Sequence, residues 1–250
     1  MLPVNQSMPL KIGLCLSALL NRFFLYQIII ILVCNMNTLD FIYANRLVAI
    51  SRGVASSDMA KVAQVINDEG INIMEITFNQ SSDDNLVETP KAIEAVKNAL
   101  GDKICVGAGT VMTVEQARAA KAAGADFALA PNTDVKVIEE MKRLDLVAVP
   151  GAFTPSEIAT AYNAGADIVK LFPASILGLE YVKAIRAPIS HIPLMAVGGV
   201  AIDNVREFLN SGFMSAGVGS HIINAKAVNS GDFASLASAA RAFVQALKQE

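Results

Sequence analysis

Three cysteines, two histidines and no excess of basic charge are all that this 250-residue chain offers to several common chemistries, and each shortage closes one of them. Cys15 and Cys34 lie in an N-terminal stretch unlike the rest, so Cys105 alone remains in the body of the chain. A disulfide framework is not expected on that count, and a reducing, cytoplasmic setting is. His191 and His221 are too few for a histidine-built metal centre. That argues against zinc-dependent lyase or hydrolase chemistry, and neither metal nor cofactor is expected. Lys and Arg number 20 against 23 Asp and Glu, without a basic stripe or interleaved aromatics, so a nucleic-acid partner is not expected. Neither Gly-x-Gly-x-x-Gly after the first strand nor a Walker lysine motif occurs, which weighs against an open dinucleotide- or nucleotide-binding sheet.

Long apolar runs are also scarce. The one candidate, FFLYQIIIILVC over residues 23–34, has a dozen residues where a bilayer span needs about 20. Asn21 and Arg22 interrupt its extension backwards, and no small-residue cleavage site follows. Residues 1–35 are therefore read as an upstream translation outside the fold, with Met36 as the natural start and residues 36–250 as a single domain. No membrane association is expected of that domain.

What the chain has in quantity is apolar residues, 53% of the total, arranged in a repeating pattern. Short β-branched or apolar runs are read as strands at 46–51, 71–78, 103–110, 127–131, 146–152, 167–174, 192–199 and 213–220. Between them lie Ala-, Glu- and Lys-rich stretches such as TVEQARAAKAAG and TPSEIATAYNAG, each opening on a capping Thr and ending on Gly. Eight strand-helix units in about 215 residues predict an α/β fold, a (β/α)8 TIM barrel whose active site lies at the C-terminal strand ends.

Within that pattern, Lys170 is out of place in the apolar run DIVKLFPAS. Strand parity groups it with Ile168 and Phe172, and groups Glu75 with Ile73 and Thr77. If both sets point inward, an amine and a carboxyl face each other inside the barrel, on strands two and six, which share layers. Desolvation of an interior lysine favours neutral amine, the nucleophile that attacks a ketone to give a Schiff base. Glu75 can then carry protons. Spacing alone equally permits a buried salt bridge between the two, or a lysine reaching water at a strand end.

The ordered motifs IMEITF, VGAGTV, AVPGAFTPSEI, VKLFPAS and AVGGV together resemble the family of 2-keto-3-deoxy-6-phosphogluconate (KDPG) and 4-hydroxy-2-oxoglutarate aldolases, a similarity that covers nearly all of residues 40–245. The resemblance implies that Lys170 forms the Schiff base with pyruvate and that Glu75 is the general acid/base. It implies that Thr110 and Pro131 line the pyruvate pocket with Arg52 at the end of strand one, and that Gly198, Gly199 and Ser220 meet the substrate's phosphate. Thr77, Phe172 and Gly219 complete the candidate substrate-binding set. A homotrimer acting on a phosphorylated 2-keto acid is implied as well.

Several positions depart from the family's pattern. Asn79 stands where many members have a carboxylate-binding arginine, Val197 replaces a threonine, Val218 a glycine and Ser175 a glutamate. Arg52 is a candidate to compensate for Asn79. The segment NQSSDDNLVETPKA reads as a longer connection than usual, a lid or a subunit contact. KDPG is the leading substrate, with its galactonate epimer and 4-hydroxy-2-oxoglutarate as variants. A phosphosugar isomerase or epimerase on the same barrel and a non-catalytic sugar-acid-binding barrel are the other readings.

Overall fold

Helices and strands alternate along the chain, and Thr113, Asp134, Thr154 and Asn224 each cap the helix that follows with a side-chain oxygen. The computed structural model describes residues 36–248. The apolar run at 23–34, with its reading as an upstream translation, lies outside the described residues. After α1 (Thr38–Asn45) come β1 (Leu47–Ser51), α2 (Ser56–Asp68), β2 (Ile73–Thr77), α3 (Asn85–Leu100), β3 (Cys105–Gly109), α4 (Val114–Ala122), β4 (Phe127–Leu129) and α5 (Val135–Arg143). The second half runs β5 (Val147–Val149), β6 (Gly151–Ala152), α6 (Pro155–Asn163), β7 (Val169–Leu171), α7 (Ala174–Arg186), β8 (Leu194–Val197), α8 (Val205–Asn210), β9 (Ser215–Val218), α9 (Ala225–Asn229) and α10 (Phe233–Lys248). Thr113 caps α4 through the Gln116 N–H, and Thr154 with Glu157 forms a full capping box on α6, as the sequence pattern predicts. Among the described residues, no helix is long and apolar enough to cross a membrane.

The strands pair in parallel in the order β5-β4-β3-β2-β1-β9-β8-β7-β6. Only Pro150 separates β5 from β6, and the two are halves of the single strand expected at 146–152. The first half pairs with β4 and the second with β7, so one bent strand joins the two sheet edges and the barrel has eight staves. Proline suits the bend because it has no N–H to place in a ladder, while its carbonyl still accepts from the Lys170 N–H at 2.9 Å. Lys170 therefore sits on the sixth stave, as the sequence count has it.

Inside the ring, Val48, Ile50, Ile73, Phe127, Leu129, Val149, Ile168 and Met195 form one buried cluster, separate from the larger core between strands and helices. Ile42 belongs to this inner cluster and is fully buried. It comes from α1, a helix the sequence reading did not anticipate, which ends where Asn45 bonds the Phe41 carbonyl and Arg46 adopts a left-handed φ of 60°. Ile42→Ala is expected to cost about 2–5 kcal/mol, the range for truncating a buried aliphatic side chain, read as a lower urea midpoint at unchanged m-value.

The segment read as a long connection after the second strand is corrected. From Asn85 it is helix α3, with Pro90 inside it, so only residues 78–84 connect strand to helix. Pro90 is the sixth residue of the helix, past the first turn, so the Leu86 carbonyl lacks the N–H that would otherwise bond it four residues on.

Candidate active site

The inner cluster is an apolar floor, and the polar residues of the same inward parity lie above it. A cavity of about 410 Å³ opens at the C-terminal strand ends, with Glu75 of β2 and Lys170 of β7 both on its wall. Arg52 follows β1, Thr110 follows β3, Pro131 follows β4 and Phe172 follows β7, and all four line it. Gly198 and Gly199 after β8, and Gly219 and Ser220 after β9, close its far side. Ten of the eleven residues singled out from the sequence thus meet around one space. Thr77 is the exception: it lines an adjoining cavity between α2 and α3, together with Asn79.

Glu75 is 1% exposed and Lys170 6%, so neither reaches water as a strand-end lysine would. No ion pair joins them either; the Lys170 ammonium position lies 4.8 Å from the Phe172 ring centre, and Glu75 Oε2 has no hydrogen-bond partner. Burial pushes the Glu75 carboxyl above the usual carboxylate range, opposed by the positive charges of Lys170 and Arg52. Burial likewise pushes the Lys170 amine below the usual lysine range; Glu75 opposes that shift and Arg52 adds to it. Both groups are driven towards their neutral forms, the state in which an amine is nucleophilic and a carboxylic acid can donate. A buried pair kept apart, with one oxygen unpartnered, is arranged to take a ligand between its members.

The surroundings explain why the sequence needs particular small residues here. A Cβ on Gly109 would overlap Glu75 Oε1, so glycine in the G-A-G-T run is what admits the carboxyl. Thr110 next to it adopts a left-handed φ of 57°, uncommon for threonine, and is held by two bonds. Its hydroxyl accepts from Arg52 Nη2 at 3.0 Å and its carbonyl accepts from Gln80 Nε2 at 2.7 Å. Gly198 and Gly199 have φ of 91° and 75°, conformations a side chain would strain. A Cβ on Gly199 would also overlap the Ser175 hydroxyl.

Other departures find their places too. Asn79 accepts from the Ser81 N–H at 3.2 Å in a local turn, away from Lys170. Val197 lines the cavity, whereas Val218 packs into the outer core. The structure adds Ile50, Val200, Gly217 and His221 to the lining. Of these, His221 was legible only as the residue directly after Ser220. Among the described residues, no three His, Cys, Asp or Glu side chains gather as metal ligands.

Comparison with known proteins identifies the family. The family described as "Aldolase: KDPG and KHG aldolase" matches residues 40–239. A 2-dehydro-3-deoxy-6-phosphogalactonate aldolase of Escherichia coli (strain K12) is 36% identical over 181 residues, 72% of this chain and 85% of that protein. A 2-dehydro-3-deoxy-phosphogluconate aldolase of Treponema pallidum (strain Nichols) is 32% identical over 177 residues, 70% of this chain and 81% of that protein. A solved structure described as "Native KDPGal structure" superposes with a TM-score of 0.73 at 33% identity, covering 81% of this chain and 94% of that one. The chain belongs to the KDPG and KHG aldolase family.

Proposed function

We propose that this aldolase uses Lys170 as a Schiff-base nucleophile and Glu75 as its acid/base, and that it cleaves KDPG to pyruvate and glyceraldehyde 3-phosphate. The observation that carries the reading is a buried amine and a buried carboxyl with an unpartnered oxygen lining one cavity, with no salt bridge between them. Neutral Lys170 Nζ adds to the C2 ketone, and the carbinolamine loses water with a proton supplied from Glu75. The ionised Glu75 then accepts the C4 hydroxyl proton as the C3–C4 bond breaks, and the bonding pair moves into the imine as an enamine. Protonation at C3 and hydrolysis release pyruvate and return the amine. Arg52 and Thr110 hold the keto-acid carboxylate, and the glycines after β8 and β9 with Ser220 meet the phosphate.

The galactonate epimer is the second reading, favoured by the Escherichia coli relative of that name. Assaying pyruvate release through lactate dehydrogenase on both epimers and on 4-hydroxy-2-oxoglutarate tests this reading. A rate on the gluconate epimer at least tenfold above the others supports the leading substrate, and no pyruvate from any of them removes the proposal. Arg52→Ala is expected to raise KM for the substrate roughly 10- to 100-fold, the scale of one hydrogen bond to a charged group, with kcat much less affected. Unchanged KM and unchanged pyruvate inhibition would dispose of its carboxylate role. A homotrimer is the assembly this reading carries with it, measurable by sedimentation.

A further inference from the structure

The cavity's charges are unevenly placed. Glu75 and Lys170 belong to β2 and β7, and Arg52, directly after β1, bonds Thr110 directly after β3. On the side formed by the glycine turns after β8 and β9, backbone and the Ser220 hydroxyl are the polar groups, and no lining residue there carries a permanent charge. His221 is the single side chain on that side able to become positive. Its ring is held in a defined way: Nδ1 lies 3.1 Å from the Val200 carbonyl. A carbonyl only accepts, so Nδ1 carries the hydrogen and Nε2 is the ring nitrogen left for a ligand. The contact ties the loop after β9 to the loop after β8, the two segments between which an anion at the glycine turns would lie.

We propose that His221 is a specificity-determining residue, whose protonated imidazole donates from Nε2 to the phosphate of the substrate and so sets the preference for phosphorylated over unphosphorylated 2-keto-3-deoxy acids. The proposal rests on the reading above that the glycine turns receive phosphate. An imidazole serves this end better than a fixed cation in one respect. It adds a charge-assisted hydrogen bond when the phosphate dianion is present, and is not a fixed charge when the site is empty. His221 is exposed, so replacing it does not open the core.

The test compares the full-length wild type with His221→Asn and His221→Ala, on the phosphorylated substrate, on its unphosphorylated counterpart, and with inorganic phosphate as inhibitor. Asparagine can still bond the Val200 carbonyl but cannot become positive; alanine can do neither. Both variants are expected to lose roughly 10- to 100-fold in kcat/KM on the phosphorylated substrate, the scale of one charge-assisted hydrogen bond. Phosphate inhibition should weaken similarly, with kcat and the unphosphorylated reaction within about twofold of wild type by the logic of uniform binding loss. Restoration by asparagine would assign His221 a loop-tethering role and overturn the proposal, as would equal losses on both substrates. A wild type that prefers phosphorylated substrate and keeps that preference in both variants sinks the His221 role alone. A wild type indifferent to the phosphate sinks the phosphate reading beneath it as well.

Discussion

Lys170→Met leaves a folded protein that no longer gains mass when pyruvate and borohydride are added together, whereas the wild type is expected to gain one reduced pyruvyl group on the peptide that contains Lys170. Turnover should fall on the order of 10⁴-fold or more, since removing a covalent nucleophile leaves only positioning and electrostatics. Methionine is the informative replacement because it fills a similar volume without an amine. Its effect on stability has a definite sign. Burial lowers the folded-state pKa of Lys170, so the unfolded chain binds more protons in the window between that depressed value and the ordinary lysine value. Stability is reduced below that window, and removing the amine relieves the penalty, so the thermal midpoint of Lys170→Met at neutral pH is expected to match or exceed the wild type's. The wild type's kcat/KM should accordingly rise with pH on a limb below the ordinary lysine range. An adduct that persists in Lys170→Met, or one found on another lysine, overturns the assignment. An epimerase on this barrel would form no adduct in the first place.

Much of the barrel could be read in advance because the physics that builds it is local. Thr113 and Thr154 announce helices by satisfying free N–H groups, and Gly124 and Gly165 end them at φ of 91° and 100°. Period-two alternation places Ile73 with Glu75 and Ile168 with Lys170 on the inner face, and all four are buried there. What was not legible depends on tertiary context. Helix α1 has one fully buried residue in eight, so its sequence carries almost no periodic signal, and the barrel floor it completes is defined only once the strands close. Pro150 reads as a blemish within one strand until the sheet edges that each half pairs with are known. Parity also fails at the last residue of a strand: Thr77 and Asn79 continue the inward series on paper, but both line the cavity between α2 and α3. A lone histidine in a loop, His221, carries no pattern at all until the Val200 carbonyl comes within 3.1 Å.

Glu75→Gln separates the two halves of the chemistry, because it keeps the shape of the carboxyl and removes its proton. Turnover is expected to fall about 10²- to 10⁴-fold, the usual contribution of a positioned general acid or base. Lys170 remains, so pyruvate should still be trapped by borohydride, more slowly because dehydration of the carbinolamine has lost its acid. The variant makes a second, directional prediction. In the wild type the negative charge of Glu75 raises the Lys170 pKa against the downward push of burial and Arg52. With glutamine there, that support is gone, and the limb on which trapping rises with pH should move to lower pH. Stability follows the opposite sign from a paired carboxylate: the folded-state pKa of Glu75 is raised, so the protein loses stability as pH climbs from the ordinary glutamate value through the raised one. Glu75→Gln removes that loss, and its thermal midpoint at neutral pH should match or exceed the wild type's. Gly109→Ala is the complementary variant, since its new methyl takes the place of Glu75 Oε1 and displaces a carboxyl that is still present. It should lose turnover as Glu75→Gln does while also lowering the thermal midpoint, because overpacking adds strain where glutamine adds none. If both variants keep wild-type turnover, protons reach and leave the substrate by another route, and Glu75 is reduced to a buried acid that merely shares a cavity with Lys170.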